Sequence, residues 1–319
     1  MTTGPLFVSS GDLIADRRYQ WALEYAARGD FAGAVEVLMQ TVALAPAFAT
    51  AWFALGAMRD RLGDRAGAIA AFEQARDADP DDYHGARLHL ERLGAAAALP
   101  EMTAVYVRRL FDQHAPDFDK SLIERLGYRG PALLLNAVRR ACETAGRPLR
   151  FERMLDLGCG TGLAGAAFRP HVGHMLGIDL SAGMIAQAQE KQAYDRLEVA
   201  ELNTFLVAQA AAGARFDLVI AADVFVYMAD FSGACARIAQ VLAPGGLFAF
   251  TVETHAGEGM ILGATLRYAH APPHVDEILG RTGFKTLVAE PESIRSEKGV
   301  PVSSLVVVAG HNSPLPLSG

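Results

Sequence analysis

The sequence has few cysteines and no arrangement of them that suits a cross-link or a metal. Its three cysteines, Cys142, Cys159 and Cys235, lie far apart and form no C-x-x-C pair. This spacing indicates neither a disulfide framework nor a zinc site, and it favours a reducing compartment. His270 and His274 are four residues apart but enclose two prolines, which rules out a helical ligand pair. We therefore predict no metal cofactor.

Long apolar runs and an excess of positive charge are also absent. No stretch approaches the roughly 20 apolar residues of a membrane-spanning helix, and the start, MTTGPLFVSSGDLIADRRYQ, does not read as a signal peptide. Because 36 acidic residues outweigh 29 basic ones, the chain lacks the positive field of a sequence-independent nucleic-acid binder. The composition is globular. We predict a cytoplasmic protein that binds neither nucleic acid nor a membrane.

A repeat runs through the N-terminal part of the chain. Gly29 and Pro46 recur 34 residues later as Gly63 and Pro80, within otherwise helical segments. This period resembles the tetratricopeptide repeat, and it implies an all-α repeat domain over residues 12–95. Two copies are few for a free-standing array. The domain is therefore expected to serve packing or self-association, with a groove for a protein partner as the alternative.

From Arg150 onward, short apolar segments alternate with helical ones. Seven segments read as strands: RMLDLG, HMLGIDL, RLEVAEL, FDLVIAADV, LFAFTVE, FKTLVAE and SSLVVVAG. Such alternation predicts a parallel, doubly wound α/β sheet. We predict a seven-stranded, Rossmann-like sheet over residues 150–311, joined to the repeats by a helical bridge or lid over residues 101–149.

A glycine-rich turn follows the first strand, in MLDLGCGTGLAGAAF. Its glycines are Gly158, Gly160 and Gly162, so Leu163 stands where the dinucleotide-binding fingerprint needs its last glycine. The lysine of a phosphate-binding loop is absent as well. The pattern D-x-G-x-G-x-G, which begins at Asp156, instead resembles the first motif of the class I S-adenosylmethionine-dependent methyltransferases.

This resemblance implies an enzyme that uses S-adenosylmethionine and releases S-adenosylhomocysteine. It implies that the glycine backbone approaches the methionine part, that Asp156 faces the ammonium group, and that Asp179 accepts the ribose hydroxyls. Glu201 stands where the family has an acid for the adenine amino group, although Asp is usual there. The cofactor contacts so assigned are Asp156, Gly158, Cys159, Gly160, Gly162, Asp179, Leu180, Met184, Glu201, Leu202, Asp223 and Phe111.

The bridge carries aromatic and polar residues that are expected to help choose the acceptor. Phe111, His114, Phe118 and Tyr128 make this segment similar to the N-terminal lid of small-molecule methyltransferases. The same side chains also suit an amphipathic face packed on the sheet. Both readings remain open at this point.

The catalytic candidates follow the fourth and fifth strands, and they are His270, Asp223 and Tyr227. A base is needed only for acceptors that must lose a proton. The possible bases are His270, His255, Glu253 and Asp223. His270 is preferred because Arg267 and Tyr268 stand beside it in RYAH.

The order of segments resembles bacterial predicted methyltransferases that contain tetratricopeptide repeats. Neither the Pro-Cys motif of cytosine-C5 methyltransferases nor the [DN]-P-P-[YF] signature for planar nitrogens occurs at the expected place. Methyl transfer to a small-molecule acceptor is the favoured reading. The alternatives are transfer to a protein docked by the repeats, and a repeat adaptor with a vestigial sheet.

Overall fold

The computed structural model describes residues 7–113, 115 and 118–311. The chain forms two compact units, Met1–Leu99 and Pro100–Gly319. His114, one of the predicted lid residues, lies outside the described residues. In the part of the chain that is described, no helix has the length and apolar character to cross a membrane.

The N-terminal unit is helical, and its helices follow the sequence repeat. Asp30 and Asp64 each cap the helix that follows by accepting the N–H of Gly33 and Gly67, at 2.8 and 2.9 Å. Such a side-chain cap satisfies a backbone donor that the helix itself leaves unpaired. The helices are α1 (Leu13–Ala27), α2 (Phe31–Leu44), α3 (Ala49–Arg61), α4 (Arg65–Ala78) and α5 (Ala86–Arg92).

The second unit begins with the helices of the bridge. These are α6 (Ala104–Asp112), α7 (Phe118–Lys120) and α8 (Gly130–Thr144), with a π-helical turn, Ser121–Arg125, after α7. Leu134 and Val138 of α8 are fully buried in the core on one face of the sheet. The bridge thus packs as part of the α/β unit.

The sheet of this unit is mostly parallel and contains the seven predicted strands. The seven are β1 (Phe151–Leu157), β2 (Val172–Asp179), β3 (Arg196–Val199), β4 (Phe216–Ala221), β5 (Leu242–Glu253), β8 (Phe284–Glu297) and β9 (Val300–His311). Their order in the sheet is β3-β2-β1-β4-β5, after which β9 pairs antiparallel with β5, and β8 with β9. The Rossmann-like prediction is therefore confirmed.

Two short strands were not predicted. They are β6 (Met260–Leu262) and β7 (Tyr268–His270), which pair with each other, and β7 meets β5 at Glu253 and Ala269. Three-residue strands are too short to show a readable alternation. The RYAH segment is consequently part of the sheet rather than a loop.

Helices cover both faces of the sheet. The remaining helices are α9 (Leu163–Phe168), α10 (Ala182–Glu190), α11 (Leu202–Ala211), α12 (Ser232–Val241) and α13 (Pro272–Arg281). Residues of α11, α12 and α13 share one core with Val219 and Phe250, whereas α8 and α9 share the other with Leu218 and Ala249. In such a sheet, ligands bind at the carboxyl ends of the strands.

Candidate active site

The three glycines of the turn after β1 have different neighbours. A Cβ added to Gly158 would lie 2.7 Å from Val224, and one added to Gly162 would lie 3.1 Å from Tyr194. At Gly160 nothing lies within 4 Å, and its φ of +54° is one that side chains rarely adopt. Of these three positions, Gly160 is the one that borders open space, and it is the place where a ligand can approach the backbone.

Asp156 is a buried carboxylate with one oxygen unsatisfied. It is 0% exposed, and its Oδ2 accepts the Tyr194 hydroxyl at 2.6 Å. Its Oδ1 has no hydrogen-bond partner in the structure as described. Burial raises the pKa of Asp156 to about 7, and nearby Asp179 also raises it, while the bond from Tyr194 lowers it.

Asp179 ends the neighbouring strand β2 and lies at the same edge of the sheet. Its Oδ2 accepts the Gly160 N–H at 2.9 Å, and its Oδ1 accepts the Ser181 N–H at 2.8 Å. Burial raises the pKa of Asp179 to about 6. Neither Asp156 nor Asp179 forms an ion pair with any described residue. This side of the site therefore holds two buried acids without a cation.

The other predicted cofactor residues on this side lie around the same edge. Cys159 is a buried free cysteine; burial raises its pKa well above the usual value, which fits a structural residue better than a nucleophile. Met184 is fully buried and Leu180 is partly buried. Their proximity to the turn follows from the position of β2 beside β1.

Glu201 and Leu202 have local structural partners. Glu201 caps α11: its Oε1 accepts the Asn203 N–H at 2.6 Å, and its Oε2 accepts the Thr204 N–H at 2.7 Å. Leu202 packs into the core. Helix capping thus accounts for both Glu201 oxygens, and its contact with an adenine stays a prediction.

The bridge contacts the glycine turn and the start of α10. Asp112 accepts a hydrogen bond from the Ser181 hydroxyl at 2.5 Å, and Asp119 binds Thr161 and pairs with Lys191. Their neighbour Phe111 lies edge-to-face against the ring of Tyr227, with centroids 5.5 Å apart. The structure thus brings Phe111 and Tyr227 together, and the function of the bridge as a lid stays a prediction.

A cluster of ion pairs occupies the carboxyl ends of β4 and β5. Arg295, which is 1% exposed, pairs with Asp223 at 3.0 Å, with Glu297 at 3.1 Å, and with Glu253. Arg267 pairs with Asp223 at 3.2 Å and with Glu253 at 3.5 Å. Asp223 is therefore held by two guanidinium groups, and it is not a free base.

Asp223 also has a strained backbone. Its φ is +63°, a region that costs a non-glycine residue of order 1–3 kcal/mol and persists only where the surrounding structure holds it. The Thr251 hydroxyl accepts the Asp223 N–H at 2.9 Å, and Arg295 holds the carboxylate. The strain at the end of β4 is thus fixed by β5 and β8.

Arg295 reaches this cluster from an irregular part of β8. The pairing of β8 with β9 shifts register between Ser293 and Ser296. Beside this shift, the Ile294 carbonyl accepts the Arg129 N–H at 2.7 Å, and the Ser296 N–H binds the Leu126 carbonyl at 2.8 Å. The sequence analysis missed Arg295, which belongs to no motif and meets Asp223 only in the folded chain.

His270 does not have the environment of a general base. It is 0% exposed, and its Nε2 lies 3.0 Å from the Met228 carbonyl. Its ring packs between Phe231 and His274, and burial lowers its pKa to about 4. A neutral imidazole that donates Nε2–H to a backbone carbonyl holds structure together. These surroundings give His270 a structural role and do not support the prediction that it is the base.

Tyr227 remains a candidate for contact with an acceptor. Its ring has Phe111 on one side and the guanidinium of Arg267 at 5.6 Å from its centroid. Burial raises the pKa of the Tyr227 hydroxyl, so the residue offers a neutral hydroxyl and an aromatic wall.

Within residues 7–113, 115 and 118–311, no group of three metal-binding side chains occurs.

Comparison with known proteins shows which proteins part of this chain resembles. Residues 155–248 match the family model described as "Methyltransferase domain". The chain is 30% identical over 168 residues to human methyltransferase-like protein 27. This alignment covers 52% of the present chain and 64% of that protein. It is 33% identical over 141 residues to a malonyl-[acyl-carrier protein] O-methyltransferase of Enterobacter lignolyticus, covering 44% and 54%. The match spans less than two thirds of either relative.

A solved structure supports the fold. The 1,6-didemethyltoxoflavin-N1-methyltransferase of Burkholderia thailandensis, with its substrate and S-adenosylhomocysteine bound, superposes with a TM-score of 0.50 at 20% identity. The superposition covers 69% of this chain and 93% of that one. The α/β unit therefore has the Rossmann-like fold of methyltransferases.

Proposed function

We propose that this protein transfers a methyl group from S-adenosylmethionine to a small-molecule acceptor. One observation carries the proposal: two buried acids, Asp156 and Asp179, flank the open backbone at Gly160, and neither is paired with a cation among the residues that the structure describes. Buried carboxylates are costly unless they are protonated or paired. A ligand with an ammonium group and a ribose diol supplies both the charge and the hydroxyl donors that these acids lack.

The residues present fit that cofactor, and each has a distinct task. The unsatisfied Asp156 Oδ1 would accept the ammonium group. The Asp179 carboxylate, held in place by the N–H groups of Gly160 and Ser181, would accept the ribose hydroxyls. When bound, S-adenosylmethionine supplies an electrophilic methyl group together with its own leaving group.

On the acceptor side, the chain positions groups and excludes water. Phe111 and Tyr227 form an aromatic wall, and the ion-paired Asp223 lies at the end of β4 beside it. Alignment and desolvation are the main contributions expected of the protein in a displacement of this kind. Since Asp223 and His270 are both engaged, we propose an acceptor whose attacking atom needs no strong base from the chain.

Similarity to proteins that act on small acceptors supports this choice of substrate class. The names of these two proteins describe methyl transfer to malonyl-[acyl-carrier protein] and to 1,6-didemethyltoxoflavin. We extend to the present chain only the small size of the malonyl group and of 1,6-didemethyltoxoflavin.

For the N-terminal unit we propose two tetratricopeptide repeats followed by a capping helix. Helices α2 and α4 lie 34 residues apart at both ends and have matching Asp caps, and α1 and α3 end 34 residues apart, which supports this assignment. The repeats are assigned to packing or self-association. Docking of a protein substrate is the alternative, and the protein is proposed to act in the cytoplasm.

Calorimetry with S-adenosylhomocysteine tests the proposed function directly. The full-length protein should bind it, and Asp179→Ala should weaken binding at least about tenfold because the ribose hydroxyls lose a charged acceptor. Asp276→Ala, which removes an acid that binds Thr286 at the surface, is the matched control and should bind normally. Absence of binding by the wild-type protein would leave the adaptor reading standing.

Removal of residues 1–95 separates the two enzyme readings. Methyl transfer to a small acceptor should survive this truncation, whereas transfer to a docked protein should be lost. Circular dichroism of the truncated chain has to show an intact α/β unit before the comparison is made.

A further inference from the structure

Tyr194 lies between α10 and β3 and fills a slot that glycines leave open. An added Cβ would come within 2.2 Å of the Tyr194 side chain at Gly165, 2.8 Å at Gly177 and 3.1 Å at Gly162. Such distances are too short for an unstrained contact. Part of the glycine pattern around β1 and β2 therefore makes room for this ring rather than for a ligand.

The Tyr194 hydroxyl joins the turn to its acid. It accepts the Gly165 N–H at 3.1 Å and donates its own proton to Asp156 Oδ2 at 2.6 Å. A phenol has a single donor, and here that donor is committed to one carboxylate oxygen. The other oxygen, Oδ1, is buried and stays without a partner among the described residues.

We propose that Tyr194 is a positioning residue for the cofactor: it fixes Asp156 through Oδ2 and leaves Oδ1 to receive the ammonium group of S-adenosylmethionine or S-adenosylhomocysteine. This inference rests on the proposed function. Sequence reasoning passed over Tyr194 because the residue belongs to no motif and meets Asp156 only in the folded chain.

The groups around Asp156 make the arrangement sensitive to pH. Asp179 on β2, Cys159 in the turn, Tyr194, and Tyr128 from the bridge are the titratable groups that interact with it. None of them carries a positive charge. Burial raises the pKa of Asp156 to about 7, and the Tyr194 bond lowers it. Because an ammonium group pairs with the ionised acid, affinity should fall as the pH drops through this value.

Loss of the Tyr194 hydroxyl should move that fall in affinity to higher pH. Calorimetry would follow S-adenosylhomocysteine binding to the full-length protein at pH values on both sides of 7. In Tyr194→Phe the midpoint should rise by about one pH unit, and affinity at pH 7 should fall about five- to tenfold. In Asp156→Asn, the fall in affinity that protonation of Asp156 causes should be absent.

Tyr19→Phe provides the matched control. Tyr19 is also fully buried, but its hydroxyl has no partner in the described structure, and it lies in the N-terminal unit. Its removal should leave the pH profile unchanged. Circular dichroism should show the folded spectrum for both phenylalanine variants.

The outcomes separate a positioning role from a structural one. An equal loss of affinity at every pH, with an unmoved midpoint, would overturn the inference. If Tyr194→Phe does not fold, biosynthetic 3-fluorotyrosine replaces it: the more acidic hydroxyl should move the midpoint to lower pH, and an unmoved midpoint again overturns the inference. A wild-type protein that binds no S-adenosylhomocysteine at any pH refutes the proposed function and this inference with it.

Discussion

On the β1 and β2 side of the candidate site, buried carboxylates lack counter-ions, whereas on the β4 and β5 side they meet buried arginines. Asp156 and Asp179 form no ion pair with a described residue, but Asp223 and Glu253 are both bound by Arg295. Burial of an unpaired carboxylate costs free energy that a proton or a bound cation offsets. We therefore expect a ligand to complete the first side, whereas the acids of the second side already have cationic partners.

Among the predicted effects, the largest is the loss of stability when Arg295 is removed from the ion-pair cluster on the β4 and β5 side. Arg295→Met leaves Asp223 and Glu253 with Arg267 alone, and the free energy of unfolding should fall by about 3–5 kcal/mol. Urea unfolding followed by circular dichroism measures this loss. Arg140→Met is the matched control, because Arg140 pairs with Glu290 of the same strand β8 at an exposed position; its loss should stay below about 1 kcal/mol. A similar loss of unfolding free energy in both variants would contradict the conclusion that Arg295 offsets the cost of burying Asp223 and Glu253.

On the β1 and β2 side, the cost of ionising the buried Asp156 should make the stability of the protein depend on pH. The folded-state pKa of Asp156, about 7, lies above the value near 4 of an exposed Asp. The unfolded chain therefore gains stability by ionising as the pH rises from about 4 to 7, and the folded protein does not. Without ligand, wild type should lose about 2–4 kcal/mol relative to Asp156→Asn over this range. A constant difference between the two proteins would show that Asp156 ionises freely in the fold.

The glycine slot on this side can be narrowed without touching an acid. In Gly165→Ala the new Cβ meets the Tyr194 side chain at 2.2 Å, and the forced shift should cost about 1–3 kcal/mol of unfolding free energy. Affinity for S-adenosylhomocysteine should fall with it. Gly280→Ala is the control, since it also changes a helical glycine but meets nothing within 4 Å. Equal stability of the two variants would mean that the Tyr194 ring moves aside freely.

The parts of the molecule that the sequence predicted are those with a regular or local pattern. Apolar runs gave the seven main strands, and the spacing of Gly158, Gly160 and Gly162 gave the turn after β1. Asp179 followed from its place at the end of the second strand. In each case the signal lies within a few residues of the feature that it predicts.

The parts that the sequence did not predict depend on contacts between distant residues. Tyr194 and Asp156 are 38 positions apart, and Arg295 and Asp223 are 72 apart. No periodicity joins such pairs, and one sequence contains no record of their contact. His270 was misjudged for the same reason, because the short strand β7 turns it into the core beside Phe231.

The smallest expected effect concerns the protonation state of His270, which should not change around neutral pH. Measuring it tests whether the β4 and β5 side is closed to water. If this side is complete without a ligand, His270 stays neutral, with its proton on Nε2 and directed at the Met228 carbonyl. Its pKa, lowered to about 4 by burial, keeps the ring uncharged across the physiological range. Nitrogen-15 NMR of labelled histidine should show the Nε2–H tautomer with no change around neutral pH, with or without S-adenosylhomocysteine. A midpoint near the ordinary value of about 6.5 would instead mean that water reaches the ring, and would restore His270 as a candidate base.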